Sequence, residues 1–143
     1  MQEQWFDNPQ DPGVRDGLRP VRQRRRATYV YRAPFQLPLR LEELDAGAVK
    51  TILFFVQPEH LTSSRIYTKL LLYGIGGVAR PDAAVVAREV AFEEAVLTED
   101  LALQRCMRLT ALPPVPRAEL HVRADRLGLA LRRELRGFVE SAM

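Results

Sequence analysis

Between Tyr29 and Leu41 an apolar residue stands at every second position, and this alternation constrains the fold more than any other feature of the sequence. A period of two is typical of a strand with one buried face, so the odd-numbered side chains are expected to face a core. Pro34 and Pro38 fall on the other face. Because proline has no N–H to donate to a neighbouring strand, the sequence predicts an edge strand or an interrupted one.

Two further apolar runs follow at short intervals. The segment "AVKTILFFVQP" comes after a turn at "DAG", and its apolar centre, residues 52–56, is predicted to be covered on both faces. The segment "EHLTSS" then reverses the chain into "RIYTKLLLYG". Short connections of this kind favour antiparallel pairing of neighbouring strands.

Two helices are predicted after the strands. Residues 82–107 form the first, and a stiff connector at 112–116 leads to a second helix from about Asp125. One buried stripe is expected on the second helix, at Leu127, Leu131, Leu135 and Phe138. The predicted fold class is therefore α+β, with a three-stranded antiparallel meander plus two C-terminal helices.

Residues 1–27 show no sustained apolar period and are rich in Pro, Gly, Asp and Arg, so they are predicted to be a basic, poorly ordered lead-in to a domain over 28–143. The run "RPVRQRRR" could bind phosphate, but no interleaved aromatics or recognition motif accompany it, which makes nucleic acid an unlikely partner. The single cysteine excludes a thiolate metal site within the chain. With no apolar run near about 20 residues and no secretion signal, no membrane partner and a cytoplasmic location are expected.

Four polar residues lie along the bulky apolar face of the first predicted helix: Glu89, Glu93, Asp100 and Gln104. Burying an unpaired carboxylate costs several kcal/mol, so this line requires cations, hydrogen-bond donors or water. A polar cavity between the sheet and the helix would supply them. In the alternative, the helix is rotated or kinked, and the acids lie at the surface or pair with arginines such as Arg108 or Arg123.

Five segments carry a family resemblance: "YRAPFQLPLRL", "KTILFFVQPE", "SRIYTKLLL", "FEEAVLTEDLALQ" and "ADRLGLALRREL". In this order and spacing, over residues 28–140, they resemble the C-terminal catalytic-domain portion of Rieske-type aromatic-ring-hydroxylating oxygenase large (alpha) subunits. The resemblance implies a partial helix-grip, START-like fold, in which an antiparallel sheet wraps a long helix around a substrate cavity. Cavity lining is proposed for Tyr29, Tyr31, Phe35, Phe55, Phe92 and Val96, with ordinary core packing as the alternative for the aromatic residues.

The resemblance also implies an iron ligand. Asp100 matches the carboxylate of the family's two-histidine, one-carboxylate site, with Glu99 as the preceding acid and Gln104 and Glu93 in support. The family's H-x-x-x-x-H pair and its Cys/His cluster ligands do not occur in this sequence. No cofactor is therefore expected in this chain alone, although the resemblance implies non-haem Fe(II) and a Rieske [2Fe-2S] cluster for the full-length protein. A rearranged triad of His60, His121 and Asp100 is the alternative within the chain.

Two functions follow from this. In the first, the chain is the C-terminal portion of an oxygenase for an apolar or aromatic small molecule. It is then inactive alone, and it associates with the missing N-terminal half or with itself. In the second, it is a non-catalytic module of helix-grip fold that binds a small molecule or a partner.

Overall fold

A five-stranded antiparallel meander forms the body of the protein in the computed structural model, which describes residues 2–9, 11–107 and 120–142. Each strand pairs with its neighbours in sequence, in the order β1-β2-β3-β4-β5. The strands are β1 (Gln2–Asp7), β2 (Arg22–Tyr29), β3 (Gln36–Glu43), β4 (Ala48–His60) and β5 (Ser63–Tyr73). With the helices that follow, this confirms the predicted α+β class.

Three α-helices accompany the sheet in the described residues: α1 (Pro12–Arg15), α2 (Ala83–Arg105) and α3 (Arg126–Ser141). Helix α2 begins where its sequence predicts, because the Asp82 carboxylate accepts a hydrogen bond from the Val85 N–H at 2.8 Å and so caps the first turn. None of the helices among these residues is both long and apolar enough to span a membrane. The predicted connector at 112–116 lies outside the described residues.

The stripe on α3 is only half covered, contrary to the expectation that it is buried. Leu131 and Leu135 are half-buried, whereas Leu127 and Phe138 are 41% and 47% exposed. Little of the described chain packs on this helix beyond the short turn at 123–125 that precedes it. Part of the apolar surface of α3, at Leu127 and Phe138, is therefore accessible to solvent.

The prediction of three strands is wrong, because the sheet has five. Strand β1 and most of β2 lie in residues 1–27, where the sequence predicts no regular structure. The alternating segment from Tyr29 to Leu41 also belongs to two strands, since β2 ends at Tyr29 and the chain reverses through 30–35 into β3. Pro34, which cannot donate to a strand ladder, lies in that reversal.

Helix α2 covers one face of the sheet, and the described part of the chain leaves apolar side chains exposed on the other face. On the covered face Ile52 lies opposite Leu39 and Leu70, and it is 5% exposed. Position 55 has the opposite parity on β4, and Phe55 is 39% exposed. Cover on both faces of residues 52–56 is therefore a wrong expectation. We call the uncovered side the outer face; its exposed apolar and aromatic side chains include Phe55, Tyr67, Leu71 and Tyr73.

Candidate functional site

A cleft of about 420 Å³ separates the covered face of the sheet from helix α2. Its walls are mainly apolar: Leu39, Leu41, Ile52, Phe54 and Leu70 from the sheet, and Val90, Phe92, Val96 and Leu97 from the helix. The strand alternation places these sheet residues on one face, and the helical spacing places the α2 residues opposite them. An apolar hollow with few polar groups is the usual form of a small-molecule site.

Lys50 joins β4 to α2 at one part of the cleft. Its Nζ lies 2.7 Å from Glu89 Oε2 and 2.8 Å from Glu93 Oε1, and the lysine residue is 4% exposed. The Phe92 ring centroid is 5.1 Å from the same Nζ. Helix α2 is thus held against the sheet by a buried cation that contacts two carboxylates.

Arg19 extends this network behind the cleft. Its guanidinium contacts three carboxylates: Asp11 at 2.9 Å, Glu89 at 3.6 Å, and Glu43. All four residues are at most 6% exposed. A neighbouring strand adds Arg25, whose Nη2 lies 3.3 Å from Glu43 Oε1.

We name these seven residues the charge cluster: Asp11, Arg19, Arg25, Glu43, Lys50, Glu89 and Glu93. The charge cluster ties the loop after α1, three strands and α2 together. A buried ion pair is weak support for overall stability, but removing one partner is costly because the other charge stays buried.

The acids of the charge cluster keep Lys50 protonated. Burial acts to lower the pKa of the Lys50 ammonium, but Glu93 and Glu89 outweigh burial, so the pKa is raised above its usual value. The lysine therefore remains a cation throughout the neutral range.

The four predicted inward positions on α2 divide into two pairs. Glu89 is 1% exposed and Glu93 is half-buried, and both meet cations as the prediction requires. The cations are Lys50 and Arg19 rather than Arg108 or Arg123, of which Arg108 lies outside the described residues. Asp100 and Gln104 are exposed, like every residue from 98 to 107, although Asp100 still lines the cleft.

The predicted lining residues divide in the same way. Phe92 and Val96 line the cleft, as do Glu93 and Asp100. The others predicted at the site lie elsewhere among the described residues: Glu99 and Gln104 on exposed turns of α2, Tyr29 at the end of β2, Tyr31 and Phe35 in the reversal before β3, and Phe55 on the outer face. The Tyr31 hydroxyl donates to the Pro34 carbonyl, and burial, followed by the Glu134 charge, raises the pKa of Tyr31.

The sequence argument misses the three cations of the charge cluster, Arg19, Arg25 and Lys50, and two of its acids, Asp11 and Glu43. Lys50 carries a usable signal, since it is one of two lysines and shares its strand face with Ile52. Arg19 and Asp11 carry none, because they lie in a segment without periodicity and reach the cluster from a loop.

No group of three or more His, Cys, Asp and Glu side chains able to hold a metal ion occurs in the described part of the chain. His60 ends β4 and His121 precedes α3, so the rearranged triad with Asp100 does not form among these residues. Asp100 has no ion pair or hydrogen bond from its side chain to another described residue. Asp100 is therefore available to a ligand, but the described residues do not form a complete iron site.

A long helix lies against an antiparallel sheet with a cleft between them, and this arrangement defines an α+β domain consistent with a helix-grip-like fold. The sequence model of the vanillate O-demethylase oxygenase C-terminal domain matches residues 1–141, and the chain belongs to this family of Rieske-type oxygenase domains. The match includes both β1 and β2 and extends through α3. Neither the comparison with curated proteins nor that with solved structures gives a match.

Proposed function

We propose that this chain is the C-terminal portion of the catalytic domain of a Rieske-type oxygenase alpha subunit, and that its cleft binds the apolar or aromatic molecule to be oxygenated. The observation that carries the proposal is the apolar cleft of about 420 Å³ between α2 and the sheet, in a chain of this family. Its volume suits a single substituted ring, since small-molecule pockets begin at about 300 Å³.

The side chains of the cleft would bind and orient such a ring. Leu39, Ile52 and Leu70 provide one apolar wall and Val90 and Val96 the other, so a flat molecule between them is removed from water. Polar groups stand at separate places along α2. Glu93 and Asp100 are seven residues apart, which corresponds to about 10 Å of helix. A bound molecule can thus present one polar substituent to each.

Asp100 is the proposed carboxylate ligand of a non-haem iron, with two histidines from outside the described residues. A two-histidine, one-carboxylate face leaves positions open on Fe(II) for oxygen chemistry. The available carboxylate of Asp100 at the cleft supports this role, but the described residues do not fit the metal by themselves, so the chain alone is proposed to be inactive. Glu93 is better assigned to holding Lys50 than to supporting iron.

A bulky side chain placed in the cleft tests whether the ligand binds there. Thr68 lines the cleft yet is exposed, so Thr68→Trp should obstruct the hollow at little cost in stability. We expect this change to weaken binding of vanillyl alcohol, a neutral methoxyphenol, by about tenfold or more, which corresponds to about 1.4 kcal/mol. Ligand-observed NMR titration measures the affinity.

Lys69→Trp is the matched control, because the adjacent position on β5 faces the outer side of the sheet. Its affinity for vanillyl alcohol should equal that of the unaltered chain. Equal losses in the two variants, or none in either, would show that the ligand does not occupy the cleft.

The role of Asp100 is tested by Asp100→Ala. Since the side chain is exposed and unpaired among the described residues, the free energy of unfolding should change by no more than about 0.5 kcal/mol. Iron analysis of the chain mixed with the histidine-bearing part of the oxygenase should show loss of bound iron in this variant. Glu99→Ala, one residue away and outside the cleft lining, should retain the metal. Iron retained by Asp100→Ala would contradict the assignment.

The outer face supports a further part of the proposal, that the chain works in contact with another polypeptide. Tyr67, Leu71 and Tyr73 are 46–59% exposed there, and β5 is an edge strand. Sedimentation velocity of the purified chain is expected to show species larger than a monomer, whose weight increases with concentration. A strictly monomeric chain over the whole concentration range would contradict association with itself.

A further inference from the structure

We infer that the cleft selects a neutral or positively charged ring compound and rejects an aromatic carboxylate such as vanillate. This inference rests on the proposed function, since it concerns which molecule the cleft takes. It follows from the charges that line the cleft and those that lie directly behind it.

Carboxylates outnumber cations in the cleft lining. Two cations, Arg25 and Lys50, face three carboxylates, Glu93, Glu94 and Asp100. Behind the lining, Arg19 is surrounded by Asp11, Glu43 and Glu89. A ligand anion entering the cleft therefore meets three positive and six negative side chains. The buried members of this set are weakly screened by salt, whereas the exposed Glu94 and Asp100 are screened.

The cations that could hold a carboxylate are already engaged. Lys50 Nζ lies within 2.8 Å of both Glu89 and Glu93, and the raised pKa of Lys50 reflects those two acids. Arg25 contacts Glu43 through Nη2, and its guanidinium carbon lies 3.9 Å from the Phe6 ring centroid. Its Nε has no hydrogen-bond partner among the described residues, but this nitrogen is buried and so is not accessible to a ligand. A substrate carboxylate would have to displace one of these carboxylates, which would then remain poorly paired.

Two carboxylates of the lining remain available to a ligand. Glu94 and Asp100 are exposed at the cleft, and neither side chain forms an ion pair or hydrogen bond with another residue that the structure describes. Each can accept a hydrogen bond from a ligand hydroxyl or ammonium group. The same ring is therefore bound more tightly when its substituent donates a hydrogen bond than when it carries negative charge.

The experiment compares three ligands with the same 4-hydroxy-3-methoxyphenyl ring: vanillate, vanillyl alcohol and vanillylamine. NMR titrations of the full chain at neutral pH, with a chelator to exclude metal, give the three dissociation constants. We expect vanillate to bind at least about tenfold more weakly than vanillyl alcohol, and vanillylamine to bind at least as tightly as the alcohol. Added salt should narrow the differences because it screens the exposed carboxylates.

Two variants separate charge from shape. Glu94→Gln removes one exposed negative charge from the lining and should improve vanillate binding severalfold. Vanillyl alcohol should gain nothing and should bind equally or slightly more weakly, because the glutamine oxygen can still accept from its hydroxyl but carries no charge. Glu99→Gln, on an exposed turn outside the lining, should change neither. Because both positions are exposed, neither variant requires repacking.

The outcomes are distinct. Vanillate binding as tightly as the alcohol, or a vanillate affinity that Glu94→Gln does not alter, would overturn the inference and leave the proposed function standing. Absence of binding by all three ligands would contradict the cleft function itself and this inference with it. Weaker vanillate binding that Glu94→Gln relieves and Glu99→Gln does not would support both.

Discussion

Replacing Arg19 with methionine is expected to destabilise the protein by about 3–5 kcal/mol, the usual cost of removing one partner from a buried ion pair. The guanidinium contacts Asp11, Glu43 and Glu89, which are 0%, 3% and 1% exposed. Without Arg19, Asp11 has no ion pair with another described residue. Glu43 keeps only its contact with Arg25, and Glu89 keeps only its contact with Lys50. Chemical denaturation followed by circular dichroism measures the change.

Arg15→Met is the matched control. Arg15 ends α1, is exposed, and forms no ion pair with another described residue, so the same substitution there should cost no more than about 0.5 kcal/mol. A small effect of Arg19→Met, comparable to that of Arg15→Met, would mean that the buried network does not hold this fold together.

Lys50→Met should have an effect of similar size, about 3–5 kcal/mol, because Glu89 and Glu93 lose the ammonium between them. The pH dependence provides a second measurement. The folded-state pKa of Lys50 is raised above its usual value of 10.5, so its contribution to stability is complete below that pH and declines as the pH rises through the raised value. Denaturation curves from neutral to strongly alkaline pH should show this decline in the unaltered chain.

The Lys50→Met variant should lack that part of the alkaline decline, since no ammonium remains to lose its proton. Lys69→Met is the control: Lys69, the other lysine, is exposed on β5, and its loss should leave both the stability and the alkaline profile unchanged. An alkaline profile identical in all three proteins would contradict the role given to Lys50.

Hydrophobic patterns that repeat every two to four residues predict the strands and helices in which they occur. The apolar runs predict β4 and β5 and their antiparallel pairing, and the helical spacing predicts α2 to within about two residues at each end. The polar line on α2 likewise indicates that Glu89 and Glu93 face inward and need cations. These predictions succeed because each depends on neighbouring residues alone.

Strand β2 shows why the rest escapes prediction. In the first half of the strand the covered face carries Gln23 and Arg25 instead of apolar side chains, and apolar character returns only at Ala27 and Tyr29, so no sustained alternation marks β2 as a strand. The stretch reads as a solvated basic run, yet Gln23 is 2% exposed and Arg25 pairs with Glu43. A polar position becomes buried only when a distant partner compensates it, and Arg19 and Glu43 are 24 residues apart in the chain.

The partial exposure of Asp100 has a related cause. Asp100 shares a helical face with Val96 and Leu103, and it lines the cleft as that face predicts. However, little of the described chain packs over residues 98–107, so this end of α2 is exposed. A helical wheel gives the direction of a side chain and not the length of helix over which the sheet extends. The sequence therefore predicts which side of α2 faces the cleft, but it does not predict how deeply each side chain on that side is buried.

The segment from Asp11 to Arg19, which includes α1, contacts helix α2 where Arg19 meets Glu89, one turn before the cleft residue Glu93. This segment does not line the cleft, so it can influence the cleft only through the position of α2. Because this contact helps to hold α2 against the sheet, we expect substitutions in the segment to alter the width of the cleft while every wall residue stays the same. Directed-evolution libraries that vary only the residues lining the cleft would not sample this way of changing its width.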